Sequence, residues 1–459
     1  MKDHNRFDLR MTADERRATW GLGLLFSLRM LGMFMLLPVL TTYGLELAGA
    51  TPILLGVAIG IYGLAQACCQ VPLGMASDRY GRVSVILFGL GLLLVGSVVA
   101  ALSDSIWGVI VGRALQGAGA ISGAVLALLS DLTREQNRTK AMAAIGMSFG
   151  ITFAIAMVTG PLLATHFGIP ALFWSIALLA VLAMLVVWRL VPKAPHHLRN
   201  RESAIVWSEM FSVVRSAALL RLDLGIFCLH FLLMLTFVAL PGALLESGIA
   251  KSSQWQIYLW CMLGSFLPVL PAIIHAEKAR QMRRVFLLAI LLLLGAELLL
   301  AASPGVVWQL LGITLFFVAF NLLEALLPSL VSKLAPVGHK GTAMGAYSTA
   351  QFLGVACGGM VGGALLAHVS VHGLFLSAAL LAFTWWLLAR QMAEPPHLSS
   401  LRLLLTPSQL QSAAALQARL ASLPGVEQVL LVAEDQCVYL KLDTRLCGRA
   451  ELEALVLTI

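Results

Sequence analysis

Residues 74–82 read Gly-Met-Ala-Ser-Asp-Arg-Tyr-Gly-Arg; they close one long apolar run, 52–76, and lead into another, 83–103. A helix needs roughly 20 mostly apolar residues to cross the hydrocarbon core of a bilayer, and both runs are long enough. The stretch between them concentrates one acid and two arginines, and Gly74 and Gly81 allow a tight turn with close backbone approach. The sequence therefore predicts a charged hairpin that joins two transmembrane helices.

The composition of the whole chain is that of a membrane protein. Of 459 residues, 59% are hydrophobic and 12% are charged, whereas soluble domains have roughly 45–50% apolar and about 25% charged residues. This excludes a cytosolic enzyme, a nucleic-acid-binding protein and a disordered chain. The net charge of +8 is typical of basic cytoplasmic loops, so it indicates topology and not a polyanionic partner. No C-x-x-C occurs and most cysteines lie in apolar runs, so we expect neither a disulfide framework nor a metal site.

The chain contains twelve apolar runs of spanning length, and lysine and arginine positions test them independently. The predicted spans are 17–40, 52–76, 83–103, 105–129, 141–164, 168–191, 221–244, 254–275, 284–303, 305–332, 341–366 and 372–392. Apart from Arg29 and Arg113 inside spans and the basic residues of the tail after residue 400, Lys251 alone falls in a predicted outer loop. Because basic residues accumulate in cytoplasmic loops, the pattern predicts that both termini are cytoplasmic.

The predicted domain organisation follows from polar interruptions of these runs. We predict a cytoplasmic N-terminus (1–16), a six-helix bundle (17–191), a cytoplasmic interdomain loop (192–220), a second six-helix bundle (221–392), a linker (393–400) and a cytoplasmic tail (401–459). The bundles resemble each other at an offset of 202 residues; for example, Gly160 and His166 match Gly362 and His368. Two parallel bundles that rock about a midplane site are a plan of secondary transporters.

The tail has a soluble composition and a mixed pattern. We predict strands at 401–405, 426–432 and 438–442 and helices at 408–423 and 450–457, an order that resembles a ferredoxin-like fold. The 406–408 loop lacks the C-x-x-C that heavy-metal-associated domains place there, so metal binding has no ligands. We interpret the tail as a small packing or regulatory module, and an unidentified cytoplasmic ligand or partner stays open.

The 74–82 stretch resembles the G-x-x-x-D-R-x-G-R signature of the major facilitator superfamily, both in residue types and in its position between the second and third spans. The resemblance implies that this cluster latches the cytoplasmic side shut in the outward-facing state, against the start of span 11 near Gly341. Asp131, at the end of span 4, is the acid available to both arginines. The predicted latch residues are Gly74, Asp78, Arg79, Gly81, Arg82 and Asp131. One departure from the family is Val83, where a further basic residue is usual.

Two other segments extend the resemblance. Residues 113–120 resemble a family motif with an arginine inside span 4, which implies a part for Arg113 in proton coupling or gating; the alternative is a structural arginine capped by backbone carbonyls. Residues 156–164 match in part the G-x-x-x-G-P-x-x-G-G of drug antiporters. Ala156 replaces its first glycine, and Leu163 and Ala164 replace its closing pair, which weakens the inference to antiport over symport.

Proton coupling needs an ionisable group inside the membrane, where such groups are rare and costly. The candidates are Glu324, Glu297, His230 and Arg113; Glu324 is preferred because Asn321 and Pro328 give it a polar, bendable surrounding. For Glu324 and His230, the alternative is a hydrogen-bonded structural role; for Glu297, it is a packing role or snorkelling to the outer surface. The predicted cavity or substrate contacts are Arg29, Phe34, Met35, Phe237, Phe320 and Asn321. A mainly apolar cavity admits amphiphilic molecules better than sugars, whose hydroxyls would go unpaired.

We therefore expect a multi-pass protein of the bacterial inner membrane that is not an enzyme. It is expected to be a proton-coupled secondary transporter, a drug/proton antiporter that exports hydrophobic or amphiphilic compounds by alternating access. Its expected partners are the lipid bilayer, protons and a hydrophobic small molecule. It needs no cofactor beyond the proton gradient, since no P-loop occurs. Two alternatives stay open: proton-coupled metabolite symport, and a transporter-like membrane sensor whose tail signals.

Overall fold

The computed structural model describes residues 11–192, 215–302, 305–394, 398–405, 410, 413–432, 437–443 and 446. Its membrane-region helices are α1 (Ala13–Tyr43), α2 (Pro52–Tyr80), α3 (Arg82–Ala101), α4 (Ile106–Ala118), α5 (Ser122–Leu132), α6 (Glu135–Leu190), α7 (Ala217–Glu246), α8 (Gln254–Lys278), α9 (Met282–Ala302), α10 (Val306–Leu334), α11 (Lys340–Leu366) and α12 (Val371–Ala389). The tail contributes β1 (Ser399–Leu404), α13 (Ala413–Ala421), β2 (Val426–Val432) and β3 (Cys437–Leu442). Most of the predicted interdomain loop, 193–214, lies outside the described residues.

The helices give the predicted number of spans once one long helix is divided. Eleven helical stretches of the described chain are long and apolar enough to cross a membrane, and α4 with α5 form one of them, interrupted at Gly119. In α6, Gly168 has φ 78° and ψ 175°, so two helices meet there. Spans 1–3 are thus α1–α3, span 4 is α4 with α5, spans 5 and 6 are α6 before and after Gly168, and spans 7–12 are α7–α12.

Polar residues define where several spans begin. Thr12 and Glu15 form a capping box at the start of span 1: the Glu15 amide donates to Thr12 Oγ1 (3.2 Å), and the Thr12 amide donates to Glu15 Oε2 (2.8 Å). The side chains of Thr51 and Ser105 cap spans 2 and 4. These side chains satisfy amide groups that the first turn of a helix leaves unpaired.

The two bundles share a helix contact that the internal repeat predicts. In the first bundle, Gly160 of span 5 lies against span 1, where an added Cβ would be 2.5 Å from the Met35 carbonyl oxygen. In the second, Gly362 of span 11 lies against span 7, where an added Cβ would be 3.2 Å from Val238 Cγ2. Small residues let helix backbones approach this closely. Matching positions therefore make matching contacts in the two halves.

Large apolar side chains cover the outer surface of the helices. Trp20 and Leu267 are each 79% exposed, and Trp188 and Trp260 are each 70% exposed. A soluble monomer rarely exposes apolar surface on this scale, and tryptophan is enriched where helices meet membrane interfaces. This is the surface of a protein that is embedded in lipid.

The tail is a small separate domain with its own core. Its three-stranded antiparallel sheet has the order β1–β3–β2, and α13 packs on one face through Leu416 and Leu420. The three strands lie within two residues of their predicted positions, because the alternation of apolar side chains marks them clearly. The predicted second helix, 450–457, lies outside the described residues, so the ferredoxin-like fold stays a prediction.

Candidate functional site

Spans 2 and 11 are packed together along the halves that the basic-loop pattern places on the periplasmic side. A Cβ added at Gly56 would lie 2.6 Å from the Gly359 carbonyl oxygen and 2.8 Å from the Gly363 Cα. One added at Gly60 would lie 2.5 Å from the Ala356 carbonyl oxygen. Only glycine allows backbones to meet at this distance. The outer halves of these spans therefore form a tight seal between the bundles.

A second contact joins the bundles at the same side. Lys251, in the loop between spans 7 and 8, places Nζ 3.6 Å from Glu46 Oε1 and 5.4 Å from the centre of the Tyr43 ring. Both partners lie at the end of span 1 or just after it. An exposed ion pair contributes little free energy, but its position shows that the periplasmic ends of the bundles touch.

A cavity of about 370 Å³ lies between the two bundles at their cytoplasmic ends. The first bundle contributes Gln70 and Leu126 to its wall, and the second contributes Pro328, Gly341 and Met344. A sealed periplasmic side together with an open cytoplasmic cavity defines an inward-facing state of a rocking two-bundle protein.

Arg82 is the centre of the charged cluster in the loop between spans 2 and 3. Its Nε lies 3.3 Å from Asp131 Oδ2, its Nη1 donates to Ser77 Oγ (2.7 Å), and its Nη2 pairs with Asp78. The predicted contact between Arg82 and Asp131 is confirmed. It ties the loop between spans 2 and 3 to the end of span 4.

The other arginine of this cluster, Arg79, does not make the contact that was predicted for it. Arg79 is exposed, and its guanidinium lies 5.5 Å from the centre of the Tyr80 ring. The predicted pairing of Arg79 with Asp131 is wrong, because the chain turns at Gly81 and only Arg82 is directed towards span 4. Gly81 has φ 95°, in the region that favours glycine.

The predicted latch and its predicted partner line the same cavity from opposite walls. Gly74, Asp78 and Arg82 lie on the first bundle, and Lys340 and Gly341 lie at the start of span 11. The two walls are apart in this inward-facing arrangement, as expected for a latch that closes in the outward-facing state. The role of the latch stays a prediction.

A polar cluster lies between spans 7, 10 and 11 of the second bundle. Gln351 Nε2 donates to Glu324 Oε1 (3.3 Å) and lies 2.9 Å from His230 Nε2, while His230 Nδ1 lies 3.3 Å from the Ile226 carbonyl oxygen. Glu324 Oε2 is buried, lies 3.8 Å from His230 Nε2 and has no hydrogen-bond partner within the described part of the chain. The centres of the Phe320 ring and the His230 imidazole are 5.7 Å apart. The structure therefore brings together two predicted proton-coupling residues, joined by a glutamine that sequence reasoning missed.

Two more side chains extend this cluster towards the cytoplasm, and sequence reasoning missed both. Tyr347 lies one turn before Gln351 on span 11, and its buried hydroxyl has no hydrogen-bond partner among the residues that the structure describes. Asp223 is 8% exposed and lies two turns before His230 on span 7. The available signal was the seven-residue spacing of Asp223 and His230, which places them on one face of a helix.

Arg29 and Arg113 are buried in the first bundle among neutral partners. Arg29 is 2% exposed and donates to Gln66 Oε1 (2.9 Å). Arg113 is 5% exposed, donates to Gln116 Oε1 (3.0 Å) and lies 4.4 Å from the centre of the Tyr62 ring. Neither contacts a carboxylate within the described chain, and the role of Arg29 as a substrate contact stays a prediction. For Arg113, these contacts favour the structural alternative.

Glu297 is enclosed between two helices. It is fully buried, and Thr236 Oγ1 donates to its Oε1 (2.6 Å). This buried position favours the packing alternative over snorkelling to the outer surface. Among the described residues, no group of His, Cys, Asp or Glu side chains could hold a metal ion, and the absence of a cofactor stays a prediction.

The predicted substrate contacts lie away from the cytoplasmic cavity. Phe237 and Met35 are 0% and 2% exposed and belong to the helix core, because spans 1 and 7 are surrounded by neighbouring helices at this depth. Phe34 makes an edge contact with another phenylalanine at 4.7 Å, Asn321 donates to a serine of span 8 (3.0 Å), and Phe320 packs on the imidazole. Their role as substrate contacts stays a prediction, and none of them lines the cytoplasmic cavity.

A further buried carboxylate, that of Glu15 in span 1, binds the loop between spans 4 and 5. It is 3% exposed and accepts from the Arg134 amide (2.7 Å), Arg134 Nε (2.9 Å) and Asn137 Nδ2 (2.9 Å). Arg134 lies three residues after Asp131, which binds Arg82. The loop between spans 4 and 5 is therefore held both by span 1 and by the loop between spans 2 and 3.

The fold, the two-bundle seal and the charged loop define a class of protein, and comparison with known families agrees. The profile of the Major Facilitator Superfamily matches residues 22–356 and 224–423, and the chain belongs to this superfamily. The profile of the YajR YAM domain matches the tail over residues 401–458. The chain is 54% identical to the inner membrane transport protein YajR of Escherichia coli strain K12 over 448 residues, which cover 97% of this chain and 98% of that protein.

More distant similarities agree with this assignment. The multidrug resistance protein MdtL of Shigella dysenteriae is 26% identical over 275 residues, 58% of this chain and 68% of that protein. The crystal structure of a bacterial homologue of the human lysosomal transporter Spinster, in an inward-facing and occupied conformation, superposes with a TM-score of 0.66 at 13% identity. It covers 84% of this chain and 98% of that one, and it shows the fold. The chain is a multi-pass membrane transporter of the bacterial inner membrane.

Proposed function

We propose that the chain exports hydrophobic or amphiphilic compounds in exchange for protons by alternating access. The observation that carries the proposal is the cluster of His230, Glu324 and Gln351 inside the second bundle. An ionisable pair at membrane depth is costly and marks a functional site by default. The multidrug resistance protein among the relatives supports export of this compound class.

The cluster can bind one proton in two ways. With Nδ1–H of His230 on the Ile226 carbonyl, Nε2 accepts one hydrogen of the Gln351 amide, and the other hydrogen goes to Glu324 Oε1. A proton added at His230 Nε2 displaces Gln351 and creates an imidazolium 3.8 Å from Glu324 Oε2. A proton added at Oε2 instead neutralises the carboxylate. Either event changes the charge of a site that water screens poorly.

Span 11 connects this event to the conformational change. It carries Gln351 of the cluster, Gly359 and Gly363 of the periplasmic seal, and Lys340 and Gly341 of the cytoplasmic wall. A proton that alters the hydrogen bonds of Gln351 thus acts on the helix that seals one side and lines the other. A ligand shifts a conformational equilibrium only by its difference in affinity between the two states, and this helix gives the proton such a difference.

The cytoplasmic cavity favours amphiphilic molecules. Its apolar wall includes Leu126, Met142, Pro328 and Met344. Methionine side chains are flexible and adapt to different ligand shapes. Gln70 and Ser348 add polar groups to the same wall.

The test uses everted membrane vesicles energised to an acidic lumen. Lipophilic cations and neutral drugs are added, and the pH gradient is followed by fluorescence in wild type, Glu324→Gln and Glu297→Gln. Glu297 is the control because it is another acid within a span of the second bundle; it is fully buried, whereas the Glu324 side chain is 34% exposed. We expect a compound-dependent collapse of the gradient that Glu324→Gln abolishes and Glu297→Gln retains.

Two results would contradict the proposal in different ways. A collapse that is unchanged in Glu324→Gln keeps antiport and moves the proton site to His230 or Glu297. No response to any compound argues against drug/proton antiport, and it puts metabolite symport or ligand sensing first.

A further inference from the structure

Strand β3 of the tail is buried on both faces, although a two-layer domain needs only one buried face. Val438, Leu440 and Leu442 pack on the tail's own helix. The alternate residues, Cys437, Tyr439 and Lys441, point to the opposite face, and they are 0%, 1% and 3% exposed. Something outside the domain therefore covers the second face.

The cover is the loop between spans 10 and 11. Val337 of this loop forms an apolar cluster with Val432, Cys437 and Tyr439. The next residue, Gly338, has φ 78°, and an added Cβ there would lie 2.6 Å from Leu430 Cδ2. The loop and the sheet thus meet at van der Waals distance. This loop ends at Lys340 and Gly341, which line the cytoplasmic cavity.

Two charged side chains at the end of β3 hold two different loops of the second bundle. Lys441 Nζ donates to the Ala335 carbonyl oxygen (2.9 Å) at the C-terminus of span 10, where the helix dipole favours a cation. Asp443 Oδ1 lies 3.5 Å from Arg280 Nη2 in the loop between spans 8 and 9. Burial lowers the pKa of Lys441, and the charge of Lys340 lowers it further. Its ammonium group is therefore desolvated at a cost that the apolar sheet contact must offset.

The first bundle joins its corresponding loops without help from the tail. There, Arg82 and Asp131 connect the loop between spans 2 and 3 to the end of span 4. In the second bundle, Met282 begins span 9 as Arg82 begins span 3, and Lys333 lies near the end of span 10 as Asp131 does in span 4. Lys333 Nζ lies 2.9 Å from Met282 Sδ, and a thioether cannot form an ion pair with an ammonium group.

We propose that the tail is a clamp that supplies the second bundle with the loop-to-loop connection its own sequence lacks. Asp443 provides the acid, and Lys441 and the sheet face hold the loop between spans 10 and 11. The clamped loop presents Lys340 and Gly341 to the latch of the first bundle, so the clamp stabilises the outward-facing state, in which the cytoplasmic side is closed. The proposal needs alternating access but not the proton role of Glu324.

The test measures docking and conformation without any transported compound. Hydrogen exchange at 335–341 reports docking. Labelling of Ile59→Cys by an impermeant maleimide in intact cells reports the outward-facing population, because Ile59 is 4% exposed and is covered by Gly359 of span 11 in the periplasmic seal. The native cysteines are replaced in every variant.

The variants distinguish the effect of tail docking from the effect of an ion pair between the loops. Lys441→Met with Asp443→Asn is expected to raise exchange at 335–341 and to lower labelling severalfold. Adding Met282→Arg with Lys333→Asp, which places an arginine and an acid at the positions equivalent to Arg82 and Asp131, is expected to restore labelling while the tail stays undocked. Arg419→Ala, on the exposed side of α13, is the control and should change neither readout.

Two outcomes would overturn the proposal. Labelling that stays at the wild-type rate when exchange rises means that the docked tail does not influence the conformation. Labelling that stays low after Met282→Arg with Lys333→Asp means that the missing loop connection is not what the tail supplies. A failure of Glu324→Gln to alter proton exchange leaves both readouts unaffected, so this proposal and the proposed function fail separately.

Discussion

Replacing Gly60 with alanine places one methyl group into the periplasmic seal. Its Cβ would lie 2.5 Å from the Ala356 carbonyl oxygen and 2.8 Å from Met360 Cγ. The first neighbour is backbone, so it cannot move aside by a change of rotamer, and overpacking of this kind costs about 1–3 kcal/mol. The cost applies to the inward-facing state, in which spans 2 and 11 touch. It is absent when these halves separate in the outward-facing state.

This difference converts into a shift of population. A cost of about 1–3 kcal/mol in one state changes the ratio of the two states by roughly 5- to 150-fold. The gain in helix propensity from glycine to alanine, about 1 kcal/mol, is the same in both states and cancels. We therefore expect Gly60→Ala to raise the rate of Ile59→Cys labelling in intact cells by a factor in this range.

The matched control is Gly91→Ala in span 3, because no heavy atom lies within 4 Å of the position of its added Cβ. Both substitutions add the same methyl group to a transmembrane helix. If Gly60→Ala labels no faster than Gly91→Ala, the contact between spans 2 and 11 is not specific to one state. The inward-facing assignment would then lose its main support.

Two further predictions concern carboxylates that sequence reasoning missed. Asp223→Asn should slow compound-driven proton release in everted vesicles without weakening compound binding, because Asp223 is a buried acid on the cytoplasmic side of His230 and on the same face of span 7; unchanged proton flux would contradict a route through Asp223. Glu15→Gln should lower the thermal unfolding temperature of the purified protein. It weakens charge-assisted hydrogen bonds to Arg134 that are worth about 1.5–3 kcal/mol each. Asp14→Asn, at the neighbouring exposed carboxylate, should leave that temperature unchanged.

The spans were predictable because lipid imposes a length and a composition on every crossing. Span 12 was expected at 372–392 and is Val371–Ala389. The boundary between spans 5 and 6 is the single non-helical residue Gly168, and the two helices meet there without a longer loop. The pair of Arg82 and Asp131 was also predictable, because a short charged loop can reach few acids. The position of the Arg79 side chain was not predictable, because its direction depends on the backbone turn at Gly81.

The proton-coupling cluster was only half predictable. Glu324 and His230 are conspicuous as ionisable residues in apolar runs, but Gln351, which joins them, is an ordinary polar residue on a third helix. The docking of the tail had no local signal either, because Tyr439 and Lys441 alternate with apolar residues as on any half-exposed strand. Both features depend on contacts between residues more than a hundred positions apart or between helices that only the fold brings together.

The contact of Met282 with Lys333, where the first bundle has Arg82 with Asp131, also bears on how such a chain arises. A duplicated six-helix unit begins with the same ion pair in each copy. After a fused domain supplies an acid beside Arg280, a lysine at position 333 carries little selective cost, and the second copy drifts away from its ancestral pair. From then on, deletion of the fused domain is harmful, because no acid remains to replace it. A gene fusion of this kind becomes irreversible even if the added domain never acquires a ligand or an activity of its own.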